Sequence, residues 1–116
     1  MTRRQLFLGV APAPAYWVLR RVLRNEFVLT NESDQVVLDL TVEVCGEGFR
    51  FGSLRPDEAV TGRFGAPDDG TAFAVRGRYA DGRAFAGTTG HVAWEDAART
   101  FHLAILADDI TTRRVT

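Results

Sequence analysis

Gln35-Val36-Val37-Leu38-Asp39-Leu40-Thr41-Val42-Glu43-Val44-Cys45 is the stretch on which the reading of the whole chain turns. Val36, Leu38, Leu40, Val42 and Val44 recur at every second position, with Val37, Asp39, Thr41, Glu43 and Cys45 between them. In extended backbone successive side chains point to opposite faces, so this pattern gives one aliphatic row and one mostly polar row. It predicts a half-buried β-strand.

The same period continues on both sides. Upstream, Glu26 to Thr30 is strand-like, and Asn31-Glu32-Ser33-Asp34 offers turn formers that bond their own backbone, so an antiparallel hairpin is expected there. Downstream, Gly46-Glu47-Gly48 ends the long strand and Phe49 and Phe51 alternate with Arg50 and Gly52. Arg55-Pro56-Asp57-Glu58 then turns the chain into Ala59 to Phe64. After the break at Gly65-Ala66-Pro67-Asp68-Asp69-Gly70, Thr71 to Ala80 places Phe73, Val75 and Tyr79 opposite Arg76 and Arg78. Asp81-Gly82 predicts a two-residue type I′ turn, returning Arg83 to Thr88 with Phe85 across from Arg78. A last hairpin is expected between His91 to Trp94 and Phe101 to Leu106, followed by a fraying polar end.

Together these segments predict an all-β fold, an antiparallel sandwich or small barrel of about seven short strands. The expected organisation is a basic arm over residues 1–24, the β-sandwich domain over 25–110 and a polar tail over 111–116. At 116 residues with 46% hydrophobic and 25% charged side chains, the chain has the composition of one ordinary globular domain, which excludes global disorder. The single cysteine, Cys45, excludes an intramolecular disulfide and a cysteine-based zinc cage.

Charge divides the chain unevenly. Residues 1–24 carry Arg3, Arg4, Arg20, Arg21 and Arg24 and no acid, while the remaining 92 residues hold nine basic groups against fifteen acids. Every basic residue is arginine, a composition that points to a GC-rich, bacterial source. Thr2-Arg3-Arg4-Gln5-Leu6-Phe7-Leu8 resembles the twin-arginine export motif, and Ala11-Pro12-Ala13 and Ala13-Pro14-Ala15 supply small-residue cleavage contexts. Gln5 to Leu19 is too short for a membrane-spanning helix, which needs about 20 apolar residues, and Pro12 and Pro14 interrupt it. Tyr16 to Arg24 has helical spacing, with Trp17, Arg20, Arg21 and Arg24 on one side, as a helix lying on an anionic membrane surface would have. The competing expectation is that this helix packs on the β-domain.

Candidate chemistry is sparse. There is no phosphate loop, no dinucleotide fingerprint and no Gly-x-Ser-x-Gly elbow. In the expected last hairpin His91 and His102 point outward, diagonal to one another, without a third ligand, so no metal site is expected. Cys45 has no neighbouring base to make it a nucleophile. The acid pairs Asp57-Glu58, Asp68-Asp69, Glu95-Asp96 and Asp108-Asp109 fall at turns and read as solubilising, with Asp68-Asp69-Gly70 the least implausible calcium loop. Asn31-Glu32-Ser33 matches a glycosylation acceptor, which matters only in a eukaryotic secretory pathway and is discounted. The net negative domain speaks against nucleic acid.

What remains is recognition. Arg76, Arg78, Arg83 and Phe85 are expected to form a basic, aromatic-bearing sheet face that binds a protein partner, and an exposed sheet edge is the other candidate. The chain is therefore expected to be a small non-catalytic binding or assembly module of the bacterial cell envelope, without enzyme activity or cofactor. The alternative is a cytoplasmic protein-interaction module whose N-terminal helix covers the sandwich.

Overall fold

The computed structural model describes residues 24–65, 70–93 and 95–116. They form eight strands: β1 (Asn25–Asn31), β2 (Val37–Val44), β3 (Glu47–Leu54), β4 (Ala59–Phe64), β5 (Thr71–Tyr79), β6 (Ala84–Val92), β7 (Thr100–Ile105) and β8 (Ile110–Val115). Two four-stranded sheets, ordered β4-β1-β7-β8 and β3-β2-β5-β6, pack into a sandwich. The all-β sandwich expected from the period-two pattern is what the chain adopts. All strand pairs are antiparallel except β1 with β7, which run parallel.

Between the sheets lies an aromatic core. Phe27, Phe64, Phe73 and Phe101 are fully buried, with ring centroids 5.3 to 6.3 Å apart, and Leu29, Leu40, Val42, Leu103 and Ile105 surround them. Pairs at such distances gain beyond their area burial. Two glycines give the rings room. Gly62 pairs with Phe27 across β4 and β1, and Gly77 with Phe85 across β5 and β6. At each, the aromatic ring covers the space a β-carbon would fill.

Several local expectations are corrected. β1 and β2 are not a hairpin, because they belong to different sheets. The Asn31 side chain sits buried at the corner, where its amide nitrogen donates to the carbonyls of Gln35 (2.8 Å) and Leu54 (2.9 Å). Its oxygen accepts from the Ser33 amide and hydroxyl, so this glycosylation-like amide is consumed within the fold. At the other end of β1, buried Asn25 donates to the Asp96 carbonyl and accepts from the Arg99 amide. β1 is thus tied at each end by an asparagine.

The alternation in β2 changes phase midway. Val37, Leu40, Val42 and Val44 are buried, while Val36 and Leu38 are only half-buried. A bulge puts Leu38 and Asp39 between Val37 and Leu40, with Asp39 at φ 52°. Asp is among the few side chains that accept the left-handed region. A second irregularity follows in β3, where Gly52 adopts φ 73°.

The type I′ turn lies at a different loop from the one expected. Cys45 (φ 54°) and Gly46 (φ 75°) connect β2 to β3 between the paired Val44 and Glu47, which makes this two-residue loop the type I′ turn. At Asp81-Gly82 only Gly82 has positive φ, at 96°. The Tyr79 amide bonds to the Arg83 carbonyl and the Gly82 amide to the Tyr79 carbonyl, so the loop has three residues and ends in a glycine bulge. Its extra residue slips the β5–β6 register by one.

The expected last hairpin does not form, since β6 and β7 lie in different sheets and Trp94 falls outside the described residues. Nor is 111–116 a tail: β8 runs to Val115 against β7. Ile110 is buried and supplies the anchor.

Candidate recognition surface

The one-residue slip divides the face expected from the sequence. Arg76 and Arg78 both point outward from sheet β3-β2-β5-β6, paired with Ala86 and Ala84. Phe85 instead pairs with Gly77 and turns inward, 4.9 Å from the Tyr79 ring. Arg83 lies over that Tyr79 ring at 4.8 Å and bridges Asp81 (3.0 Å) and Asp108 (3.4 Å). Arg76 and Arg78 therefore share a surface, while Phe85 and Arg83 belong to the packing around Tyr79.

Registers across β2 build the outer face row by row. One row reads Arg50, Thr41, Arg76, Ala86; the next reads Gly48, Glu43, Ala74, Thr88. Arg78 turns back to the bulge and pairs with Asp39 at 2.9 Å. Both partners are largely exposed, so the pair fixes a direction more than it stabilises. Arg50 and Arg76 have no ion-pair partner among the described residues. Because Ala74, Ala86 and Thr88 are small, the face holds an open depression of about 330 Å³ beside Arg76 and against β6.

β6 is the outermost strand of this sheet. Each of the other three sheet edges carries a charge: Glu47 and Arg50 on β3, Arg63 on β4, Arg113 and Arg114 on β8. Such charges keep free edges from pairing with other chains. β6, reading Ala-Phe-Ala-Gly-Thr-Thr-Gly-His-Val, has no Asp, Glu, Lys or Arg. Its bulge is confined to the end near Gly90, leaving Ala84 to Thr89 in regular register with β5. The uncharged run is visible in the sequence, but that it forms an edge depends on the sheet order.

The other candidates have structural employment. His91 lies at the end of β6 with its ring over Gly70, and His102 lies on β7 with Nε2 3.4 Å from Thr116 Oγ1. Among the described residues no group of three or more His, Cys, Asp or Glu is placed to hold a metal. Glu58 accepts from the Arg55 amide and pairs with its guanidinium at 3.0 Å, and Asp96 accepts from the Ala93 amide. Asp68 and Asp69 lie outside the described residues, as do Arg3, Arg4, Trp17, Arg20 and Arg21. Arg24 is held on the domain, pairing with Glu47 at 2.8 Å and donating to the Arg63 carbonyl.

Burial, assisted by the charge of Glu47, pushes the Cys45 thiol up to about 11. The thiol is the poor nucleophile at neutral pH. Alkylation of Cys45 by iodoacetamide is accordingly expected to keep accelerating up to pH 10, where a free cysteine thiol, with its pKa near 8.5, has levelled off. A plateau below pH 9 would contradict this environment.

No helix among the described residues is long and apolar enough to cross a membrane. No family model matches the chain, and no curated protein matches it. Among solved structures, the chain is similar to the NMR structure of a protein from Eubacterium rectale, at 15% identity and a TM-score of 0.57, over 78% of this chain and 86% of that one. At that identity the likeness concerns the sandwich fold alone.

Proposed function

We propose that the protein is a small non-catalytic binding or assembly module that takes an extended segment of a protein partner onto the edge that β6 leaves without a strand partner among the described residues. It works in the bacterial cell envelope, where the arginine-rich residues 1–24 deliver or hold it. The observation that carries the reading is the absence of any charged side chain from β6 alone among the four sheet edges. An undefended regular edge offers a row of backbone donors and acceptors to an incoming strand, which is the basis of recognition by strand addition.

Placing lysines at Ala86 and Thr88 puts charge on that edge without entering the core, since both side chains are exposed. Stability is expected to change by less than about 0.5 kcal/mol. Affinity-tagged full-length protein recovered from the envelope fraction of its native host should bring a partner with it, and the double variant should lose that partner. Equal recovery by the variant would reject β6 as the site. Recovery of the protein from the cytosol alone would reject the envelope.

A further inference from the structure

We infer that the segment added to β6 carries an acidic side chain on the residue that comes to lie opposite Ala86, and that Arg76 receives its carboxylate. The inference rests on strand addition at β6 and specifies the chemistry of the partner. An added strand extends each cross-strand row by one position, about 4.8 Å beyond β6. In the row of Ala86 the next residue inward is Arg76, whose guanidinium has no ion-pair partner among the described residues. The backbones of β5 and the added strand would stand roughly 10 Å apart, two strand spacings. Arginine and glutamate side chains together span that distance, provided nothing stands between them. Alanine at 86 leaves the way open, and the depression of about 330 Å³ over Ala74 and Ala86 is the space the two side chains would occupy.

Neighbouring rows offer an acid nothing comparable. The row of Ala84 leads to Arg78, whose guanidinium is turned away to Asp39 at 2.9 Å. The row of Thr88 leads through Ala74 to Glu43, a like charge. One acid opposite Ala86 therefore also fixes the register of a strand that small, similar side chains would otherwise leave free to slide.

The test uses N-acetylated octapeptides of alternating threonine and valine with one central glutamate, or with glutamine in its place. Each is titrated to millimolar concentration into full-length protein while backbone amide resonances are followed. The expected result is shifts confined to β6 and its neighbours, with the glutamate peptide binding about three- to fivefold tighter, the size of an exposed ion pair. In Arg76→Met, which keeps the apolar stem, the two peptides should bind alike. Equal binding to the unaltered protein, or a preference that persists in Arg76→Met, overturns the acidic-partner inference while leaving strand addition standing. No shift at β6 with either peptide removes both.

Discussion

Replacing Gly62 by alanine is expected to lower the unfolding free energy by about 3 kcal/mol, a large loss for a single methyl group. A β-carbon built at Gly62 would lie 2.4 and 2.6 Å from two ring carbons of Phe27 and 3.1 Å from Phe49. Phe27 has no exposed surface and no direction of retreat, because Phe49, Phe51, Phe64 and Phe73 surround its ring at 5.2 to 6.3 Å. The added methyl must displace either β4 or a ring shared by both sheets. Overpacking of this kind costs about 1–3 kcal/mol and occasionally more, and the fourfold confinement of Phe27 argues for the upper end. For a domain of this size the melting temperature should fall by roughly 15 °C. Urea unfolding of Gly62→Ala provides the number, and Gly62→Ala combined with Phe27→Leu should recover part of the loss through the coupling of two residues in contact. A single variant within 0.5 kcal/mol of the parent would mean that Phe27 is not confined as described.

The contrast between Gly62 and Val42 shows what was legible beforehand. Val42 is buried because it lies on the aliphatic row of a period-two pattern, and that pattern can be read without knowing any neighbour. Gly62 matters only because Phe27 pairs with it from another part of the chain. The same division runs through the turns. Asp81-Gly82 carries the stronger local signal for a type I′ loop, yet Asp81 keeps negative φ and the hairpin takes a third residue. Cys45-Gly46, with no such signal at its first position, is where both positive φ values occur. At Asp39 the bulge reverses the phase of the very strand that decided the fold class, without disturbing that class.

For the recognition surface the consequence is sharper, because a register error of one residue carries a side chain to the other face. Arg76 and Arg78 were readable as outward, since they oppose Phe73, Val75 and Tyr79 within one strand. The faces of Phe85 and Arg83 depend on the length of the turn and change with it. That β6 is an edge was not readable at all. Edge status depends on β7 joining β1 in the other sheet, a parallel pairing between segments about 75 residues apart.

The second large effect is expected at Asn31, where the chain passes from one sheet to the other. Its four side-chain hydrogen bonds reach Gln35 and Ser33 in the turn and Leu54 at the end of β3, all from a side chain without exposed surface. Asn31→Leu keeps the branching and the number of side-chain heavy atoms but leaves the Gln35 and Leu54 carbonyls and the Ser33 donors without their partner, and its methyls are bulkier than the planar amide, a loss of roughly 3–5 kcal/mol. Asn31→Asp is the more diagnostic change. Its shape is unaltered and the Ser33 bonds persist, but an oxygen now faces the two carbonyls that had accepted from the amide nitrogen. Burial against those oxygens disfavours the carboxylate and raises its folded-state pKa above the unfolded value near 3.9. The folded variant then holds a proton that the unfolded chain has released, so its stability falls as pH rises above about 4 until the raised pKa is passed. Protonated, the acid donates to one of the two carbonyls and restores half of what the amide supplied. Urea unfolding of parent and variant at pH 4 and pH 7 should therefore show a deficit that is smaller at pH 4. An equal deficit at both values would mean that the side chain of residue 31 does not face those carbonyls, and with it would go the account of how the chain turns between its two sheets.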